Sequence, residues 1–452
     1  MFTVSGVRGV VGDSMTPEVA LNLSTAFGSW LRKGSVVVGR DTRPSGEMLQ
    51  RAVTAGLTST GHDVIDVGVT PSPAVAYSTK IFQAVGGVIV SASHNPPEWN
   101  ALKFLGPEGM PISESDVQAI RDQYTRSAFT YASWSSLGKV YPRDVTDAYI
   151  AAIIRNIDVE AVKRAAPSVV VDPGNGAGSL VTPYLLREIG CHVTTLNASV
   201  DGFFSRPIEP TWEALEDLAR LVVALKADVG FAHDCDADRL VCVNDKGEVM
   251  PEDIGLAIIV DAFLTSGAGG VFVTNVASSL MFDDIAEKHG VKVVRTRVGE
   301  AYVAQKMVEV KALIGGEGSC GGIIMPQIHA ARDGVLAAAK VTEILAKRGV
   351  RLSELVLQLP RYHSARGKVA CSGVDAERAV KALKERYRGK PLDLTDGVKV
   401  HGRGEWVLVR PSGTEPVIRV MAEAKTPGRA QELCDRFLSE VSAILALKKG
   451  ET

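Results

Sequence analysis

Three aspartates in one short segment are the residues in this chain best suited to chemistry. Asp234, Asp236 and Asp238 stand at alternate positions, so a looped backbone can direct all three carboxylates toward one point. The runs on both sides are apolar, which argues against a solvated acidic loop. Carboxylate oxygens suit a hard cation such as Mg²⁺, and Arg239 stands where an EF-hand needs glycine. The spacing therefore predicts a metal site of another kind.

Ser93 lies in Ser91-Ala92-Ser93-His94-Asn95-Pro96, directly after the apolar run Gly87-Val88-Ile89-Val90. This order places its hydroxyl on a loop that leaves the carboxyl end of a strand, where open α/β sheets build ligand sites. A nucleophilic or phosphorylated serine is one interpretation. A serine that only caps or turns the chain is the other.

Two further loops carry polar groups. Arg410-Pro411-Ser412-Gly413-Thr414-Glu415-Pro416 combines a guanidinium, two hydroxyls and backbone amides freed by glycine, which suit a phosphate, and Arg419 can join them. A simple turn would also explain the Pro and Gly. The segment Gly315 to Gly322 holds Glu317 and Ser319 among glycines, so a small polyhydroxylated ligand could approach closely.

These loops need a scaffold, and the sequence repeats one scaffold three times. Each copy has a β-branched run, turn residues, a helical stretch, a glycine and a second β-branched run. A helical crossover is what a parallel strand pair requires, and the glycine can end the helix in a left-handed conformation. The paired runs are Val36–Val38 with Val64–Val67, Val169–Val171 with Val193–Thr195, and Val271–Thr274 with Val293–Thr296.

The predicted fold class is therefore α/β, with three similar α/β domains of mixed sheets and a smaller C-terminal α+β domain. The last domain should contain a charged helix near Asp375–Tyr387, strands at Trp406–Val409 and Val417–Glu423, and a final helix. Polar or proline-marked stretches suggest domain boundaries. They divide the chain into residues 1–144, 145–247, 248–361 and 362–452.

Composition excludes several classes of partner. The 452 residues carry a formal net charge of −2, so there is no basic surplus to bind a nucleic acid or an anionic membrane. The first residues lack a signal-peptide layout, and no apolar run approaches the roughly 18 residues of a membrane span. The six cysteines are scattered, as expected for reduced thiols. We expect a cytoplasmic protein, a monomer or homodimer, with a small-molecule partner.

Taken together and in this order, the four loops resemble those of the α-D-phosphohexomutase superfamily, over essentially the whole chain. This superfamily includes phosphoglucomutase, phosphomannomutase and phosphoglucosamine mutase, and the form of this chain is closest to archaeal-type members. The resemblance implies four domains around one central cleft. It also implies a Mg²⁺-dependent isomerase that interconverts hexose or hexosamine 1-phosphate and 6-phosphate through a phosphoserine and a hexose 1,6-bisphosphate intermediate.

The resemblance also implies a role for individual residues. Ser93 would be the phosphoserine, and Asp234, Asp236 and Asp238 would hold Mg²⁺ together with a phosphoserine oxygen. Glu317 and Ser319 would bind sugar hydroxyls. The phosphate that is not reacting would be bound by Arg410, Ser412, Gly413 and Thr414, with Arg419 nearby. The basic active-site groups would be Arg8, Lys103 and Arg239, and His94 and Asn100 would support the serine loop.

Proton transfer is where the sequence departs from the superfamily pattern. Many members have Ser-Gly-His in the sugar loop, whereas this chain reads Ser319-Cys320-Gly321-Gly322. His329 is a candidate replacement near the substrate, and a packed or surface histidine is the alternative. Lys103 could accept the hydroxyl proton if burial and cationic neighbours lower its pKa.

Two other functions compete with a mutase. A dinucleotide-dependent oxidoreductase is suggested by the glycines of Gly174-Asn175-Gly176-Ala177-Gly178-Ser179 after a strand, but Ser179 stands where the third glycine belongs. A non-catalytic sugar-phosphate binding protein would share the binding loops. The sequence does not rank glucose, mannose and glucosamine as the sugar.

Overall fold

The computed structural model describes residues 2–267, 269–318, 321–412 and 416–446. The described residues form four sheets, each with helices packed against it, and helices and strands interleave along the chain. The predicted α/β class with a fourth, smaller domain is confirmed. Three expected site residues, Ser319, Gly413 and Thr414, lie outside the described residues.

The first domain contains a seven-stranded sheet in the order β1-β2-β6-β5-β3-β4-β7. Strands β5, β3, β4 and β7 are parallel neighbours, while β2 and β6 run antiparallel to their neighbours. Its elements are β1 Phe2–Thr3, β2 Gly6–Val10, α1 Pro17–Trp30, β3 Ser35–Arg40, α2 Gly46–Ser59, β4 Asp63–Val69, α3 Ser72–Ile81, β5 Gly86–Val90, β6 Trp99–Leu105, α4 Glu114–Arg126 and β7 Val140–Pro142.

The second domain contains a four-stranded sheet in the order β11-β10-β8-β9, in which only β11 is antiparallel. Its elements are α5 Thr146–Ile154, α6 Val159–Ala165, β8 Ser168–Asp172, α7 Thr182–Glu188, β9 His192–Thr195, α8 Glu216–Leu225, β10 Val229–Ala232 and β11 Val241–Asn244.

The third domain contains a five-stranded sheet in the order β13-β12-β14-β15-β16, with parallel pairing as far as β14 and antiparallel pairing beyond it. Its elements are α9 Asp253–Thr265, β12 Val271–Asn275, α10 Met281–Lys288, β13 Lys292–Thr296, α11 Glu300–Val310, β14 Ile314–Gly316, β15 Ile323–Met325, β16 His329–Asp333, α12 Gly334–Arg348 and α13 Leu352–Val356.

The fourth domain is an antiparallel sheet in the order β17-β21-β20-β19-β18 with helices on one side. The sequence did not predict β17, β18 or β19. Its elements are β17 His363–Ala370, α14 Gly373–Arg386, β18 Leu392–Asp393, β19 Val398–Gly402, β20 Glu405–Pro411, β21 Val417–Ala424 and α15 Pro427–Ala446.

The threefold repeat is confirmed in the strand pairing. The two β-branched runs of each copy pair in parallel, as β3 with β4, β8 with β9 and β12 with β13. Gly61, Gly190 and Gly290, which precede the second strand, all have positive φ. A continuous hydrophobic core joins the second and third domains, so the loops at the carboxyl ends of their strands are supported by shared packing.

Candidate active site

A cleft of about 1670 Å³ lies between the four sheets, and each domain contributes to its wall. Among the described residues, eleven arginines and lysines and seven acidic residues line it. The chain as a whole is slightly acidic, so this local excess of positive charge is concentrated where a ligand would bind. Such a cleft attracts a small anion.

Ser93 lies on the loop after β5, directly before His94 and Asn95 of the cleft wall, and is 1% exposed. Its backbone adopts the left-handed conformation, with φ of 53°. The Ser93 amide donates to the hydroxyl of Ser91 at 3.0 Å. The Ser93 hydroxyl donates to Oδ2 of Asp234 at 2.6 Å, so the serine loop of the first domain meets the aspartate loop of the second.

The aspartate loop follows β10 and gathers three buried carboxylates. One oxygen from each of Asp234, Asp236 and Asp238 lies within 4.8 Å of the others. Burial and the negative charges of Asp238 and Asp236 raise the pKa of Asp234 to about 7. The buried Oδ1 atoms of Asp236 and Asp238 accept no hydrogen bond from the described residues. Carboxylate oxygens that accept no hydrogen bond, in a site whose possible ligands are all oxygens, suit a hard divalent cation.

Two basic residues of the first domain reach these loops. Lys103 Nζ on β6 lies 2.6 Å from Oδ2 of Asp236 and 3.4 Å from Oδ2 of Asp238. Arg8 on β2 donates to the carbonyl of Ala92 at 3.3 Å and to the side chain of Asn95. Burial lowers the pKa of Lys103, but attraction to the two aspartates outweighs it, and the pKa is raised. A lowered pKa was the predicted condition for Lys103 to accept the hydroxyl proton, and that condition is wrong in this arrangement.

His94 and Arg239 form the wall beside Ser93. Arg239 Nη2 lies 2.7 Å from Nδ1 of His94, and Arg239 Nη1 donates to Glu209 at 3.2 Å. Burial, with Arg239 and Arg8 nearby, holds the pKa of His94 far below its usual range. The ring is therefore neutral and accepts a hydrogen bond from the guanidinium.

Arg332 on β16 connects the aspartate loop, called the metal loop below, to the glycine-rich loop of Glu317, called the sugar loop. The sequence interpretation gave Arg332 no role. Its Nη2 donates to Oδ2 of Asp238 at 2.6 Å, and its Nη1 donates to Oε2 of Glu317 at 2.7 Å. The other Glu317 oxygen accepts from Asn275 Nδ2 and from the Gly299 amide, each at 2.8 Å. Glu317 is thus fixed in place at the carboxyl end of β14.

Close packing explains at least one glycine of the sugar loop. A Cβ on Gly322 would lie 2.2 Å from Cγ of Arg332 and 2.2 Å from the Asp238 carbonyl oxygen. Both distances are too short for any side chain. This glycine is therefore required by the contact between the sugar loop and the metal loop, whereas the sequence had suggested room for a ligand.

The fourth domain also contributes charged side chains to the cleft. Arg410 on β20 and Arg419 on β21 face each other in register, and both line the cleft with Ser412. Arg410 Nε donates to Oδ2 of Asp396 at 2.8 Å, and the Val298 amide donates to the same oxygen at 3.1 Å. Asp396 therefore orients Arg410 and holds the fourth domain against the third.

Two expected site residues are not brought to the cleft. His329 is 1% exposed, its Nε2 lies 2.9 Å from Oδ2 of Asp333, and its Nδ1 accepts from the Ala331 amide. It is a core histidine, so the expectation that it binds substrate is wrong. Asn100 is fully buried and donates to Ser45 at the start of α2 rather than to the serine loop.

Other contributors had no contiguous motif. Ser72 at the start of α3 donates through its amide to the Asp236 carbonyl at 2.9 Å and through its hydroxyl to the Asp236 side chain. Arg206 donates from Nε to Asp172 at 3.0 Å and from Nη2 to the His233 carbonyl at 2.8 Å, beside the metal loop. A further buried ion pair joins Asp41 and Arg43. Its available sequence signal was the charged run from Arg40 to Arg43 at the end of a β-branched strand.

The glycine-rich segment after β8 supports the metal loop. The Ala177 amide donates to the Cys235 carbonyl at 2.7 Å, and a Cβ on Gly176 would lie 2.5 Å from that oxygen. The segment is packed against protein and leaves no room there for the pyrophosphate of a dinucleotide.

None of the helices in the described residues meets both the length and the apolar character that a membrane span requires.

Sequence families match consecutive parts of the chain. Phosphoglucomutase/phosphomannomutase alpha/beta/alpha domains I, II and III match residues 1–131, 147–247 and 251–362. The C-terminal domain of the same family matches residues 367–440. Together these matches cover most of the chain.

Individual proteins show the same similarity. A "Phosphoglucomutase/phosphomannomutase" of Thermococcus kodakarensis is 44% identical over 96% of this chain and 96% of its own length. A "Probable phosphoglucosamine mutase" of Pyrococcus abyssi is 39% identical over 96% of each chain. The crystal structure of a phosphoglucomutase/phosphomannomutase family protein from Burkholderia thailandensis superposes with a TM-score of 0.87 at 26% identity, covering 100% of this chain and 99% of that one.

Proposed function

The chain belongs to the phosphoglucomutase/phosphomannomutase family, and we propose that it interconverts hexose or hexosamine 1-phosphate and 6-phosphate through a phosphorylated Ser93. The observation that carries this proposal is the 2.6 Å contact between the Ser93 hydroxyl and Asp234 within a buried carboxylate triad. It brings the phosphoryl-carrying atom to the group of charges suited to a divalent cation.

The reaction has two halves. In the first, the bond from phosphorus to Oγ of phosphorylated Ser93 breaks, a bond to the free sugar hydroxyl oxygen forms, the hydroxyl proton passes to a base in the cleft, and the released Ser93 Oγ takes up a proton. The product is a hexose 1,6-bisphosphate, which turns around. In the second half the bond from phosphorus to the other sugar oxygen breaks, that phosphoryl group moves to Ser93 Oγ, which gives up its proton to the base, and the freed sugar oxygen takes a proton. The protein ends as it began, and the phosphate has changed position.

Asp234, Asp236 and Asp238 would hold Mg²⁺, whose charge would neutralise the phosphoryl oxygens during transfer. The protein's own cations act beside it. Lys103 at the aspartate loop and Arg8 at the serine loop provide fixed positive charge and oppose the charge that develops on the phosphoryl group. Their fixed positions mean that little reorganisation is needed during transfer.

The remaining contacts orient the sugar. Arg410, Ser412 and Arg419, with Gly413 and Thr414 of the same loop, bind the phosphate that is not reacting. Because this loop recognises phosphate rather than sugar, it serves both orientations of the bisphosphate. Glu317 and Ser319 bind sugar hydroxyls. Glucose, mannose and glucosamine phosphates are the candidate substrates, and comparing kcat/KM on the three separates them.

Label transfer tests the proposal directly. Intact-mass and peptide mass spectrometry of the purified protein should place one phosphate on Ser93, and isotopically labelled hexose 1,6-bisphosphate should label the same residue. Ser93→Ala should abolish turnover with an unchanged melting temperature, and Ser133→Ala, at an exposed serine that does not line the cleft, should turn over normally. A non-catalytic binding protein would bind the phosphosugar without labelling Ser93, and turnover by Ser93→Ala would refute the mechanism.

A further inference from the structure

A buried arginine of the first domain, Arg43, lies directly beneath the serine loop. It follows β3 and is 0% exposed. Its Nη1 donates to the carbonyls of Pro96 and Trp99 at 2.6 and 3.0 Å. Its Nη2 donates to the carbonyls of Ser93 and Asn95 at 2.9 and 2.6 Å. One guanidinium thus binds four carbonyl oxygens, three in the loop that carries the reactive serine and one at the start of β6.

Asp41 supplies the charge that balances this arginine. Its Oδ2 lies 3.2 Å from Nε of Arg43, and its Oδ1 accepts from the Arg43 amide at 2.9 Å. Both side chains are fully buried. A buried ion pair contributes little net stability compared with apolar residues of the same size, because desolvation of the charges offsets their attraction. The presence of the pair at this position therefore points to a requirement for geometry.

The conformation of Ser93 shows what that geometry is. Its φ of 53° is left-handed, which costs a non-glycine residue on the order of 1 kcal/mol. In this conformation the Ser93 carbonyl is turned toward Arg43, while the hydroxyl reaches Asp234. The hydrogen bonds from Arg43, with those from Arg8 and to the Ser91 hydroxyl, offset this cost.

The segment that contains Arg43 also contacts the metal loop. Between the ion-paired residues, Thr42 donates through its hydroxyl to the Asn175 carbonyl at 2.8 Å, and the same hydroxyl lies 3.7 Å from Sγ of Cys235. Cys235 stands between the first two aspartates of the triad. Residues 41 to 43 therefore fix the serine loop and the metal loop relative to each other.

We propose that Arg43 is a positioning residue for phosphoryl transfer, holding Ser93 Oγ in line with the substrate through the backbone of the serine loop, without touching the substrate. This inference rests on the proposed function, in which Ser93 carries the phosphoryl group. A lysine cannot replace Arg43, because its single ammonium lacks the planar array of five donors that reaches four carbonyls and a carboxylate.

Arg43→Lys and Asp41→Asn are the test variants, and Arg51→Met is the control, since Arg51 is a solvent-exposed arginine on α2 that pairs only with Glu47 among the described contacts. Three quantities are measured in each. They are the melting temperature, the rate at which dephosphorylated protein gains phosphate on Ser93 from hexose 1,6-bisphosphate, and kcat with KM. Displacement of a reacting atom by about 1 Å costs roughly 100-fold in rate.

We expect Arg43→Lys to fold, to phosphorylate Ser93 about 100-fold more slowly, and to lose kcat in proportion while KM stays within about threefold. Asp41→Asn should show the same pattern to a lesser degree. A folded Arg43→Lys with a wild-type phosphorylation rate overturns the inference, as does a loss confined to KM. If Arg43→Lys does not fold, Asp41→Asn decides by the same criteria. Wild-type protein that never carries phosphate on Ser93 would instead overturn the proposed function itself.

Discussion

The Ser93 hydroxyl and the Asp234 carboxylate are 2.6 Å apart although 141 positions separate them in the chain and they follow strands of different sheets. Two loops that meet so closely must be held by their own domains, because a single hydrogen bond adds only about 1 kcal/mol. Asp234 also lies in a buried group of like charges, and burial with the charges of Asp238 and Asp236 raises its pKa to about 7.

Replacing Asp234 by asparagine should separate metal binding from folding. Asp234→Asn keeps the size of the side chain and an oxygen that can accept from Ser93, but above pH 7, where Asp234 is mostly ionised, it removes one of three buried negative charges. In chelator we expect a melting temperature above that of the wild type, because repulsion is relieved. Saturating Mg²⁺ should stabilise the wild type by about 2.7 kcal/mol at 100 times Kd and the variant far less.

Asp217→Asn is the matched control, at an exposed aspartate on α8 away from the triad. It should retain the full Mg²⁺ response. Calorimetric titration with Mg²⁺ gives the same comparison without heating. Equal Mg²⁺ affinity in Asp234→Asn and the wild type would show that the triad does not hold the ion.

Arg332→Lys tests the connection between the metal loop and the sugar loop. The guanidinium reaches Asp238 and Glu317 at once, and an ammonium can satisfy only one of them. Arg332 is also among the causes that hold the pKa of Asp238 well below its usual range, against the opposing effect of burial. We expect KM for the phosphosugar to rise tenfold or more, since about 1.4 kcal/mol of binding per lost charged contact corresponds to tenfold.

Arg348→Lys provides the control, because Arg348 pairs with a carboxylate on α9 and not in the cleft. Steady-state kinetics on both variants, with a melting curve for each, distinguish a local loss of sugar binding from general destabilisation. An unchanged KM in folded Arg332→Lys would contradict the positioning of Glu317 by Arg332.

Asp396→Asn tests the phosphate region of the fourth domain. Asp396 orients Arg410 and accepts the Val298 amide, so its neutral replacement should weaken the hold on both. We expect KM for the monophosphates to rise about tenfold with a smaller change in kcat, because the affected phosphate is not the one transferred. Asp393→Asn, at a carboxylate that accepts the Thr395 amide in a turn, should have wild-type kinetics. A loss confined to kcat would argue against this role.

Contiguous motifs and strand periodicity were what the sequence revealed best. The parallel strand pairs of the three repeats follow from alternating β-branched runs and helical crossovers, which are local patterns. The aspartate triad was visible because its members stand at alternate positions in one loop. A local pattern suffices whenever the chemistry lies within one segment.

Long-range contacts had no such signature. Arg43 and Arg332 each bind groups from loops far along the chain, and an isolated arginine in a sequence does not show which carbonyls or carboxylates will surround it. His329 was misplaced for the same reason, since its partner Asp333 and the core around it decide where the ring points. Gly322 is required for the close contact between two loops. Composition alone cannot distinguish that requirement from room for a ligand.

A buried lysine outside the cleft should give the protein a measurable pH dependence. Lys399 on β19 is 1% exposed, donates to the Val276 carbonyl at 2.6 Å, and lies 4.1 Å from the centroid of the Trp406 ring. Burial, and then the charge of Arg295, lowers its pKa to about 7, although Glu423 and Asp283 act in the opposite direction. The group lies where the fourth domain packs on the third.

The sign follows from proton linkage. Between pH 7 and the unfolded pKa of about 10.4, the unfolded chain holds a proton on this lysine that the folded protein has released. Folding stability therefore rises with pH across this window, by up to about 1.4 kcal/mol per pH unit, and below it the full cost of burying the charge applies. Lys399→Met removes this contribution. Its melting temperature relative to wild type should be highest near pH 6 and fall steadily toward pH 10.

Thermal unfolding followed by tryptophan fluorescence from pH 6 to pH 10 measures this directly, since Trp406 adjoins the group. The lost hydrogen bond to Val276 lowers the stability of Lys399→Met when the lysine is neutral, so the slope against pH, rather than the absolute difference, is diagnostic. Lys381→Met, at an exposed lysine of α14, should keep the wild-type slope. If the difference between Lys399→Met and wild type is constant over this range, Lys399 does not titrate in the folded protein near neutral pH.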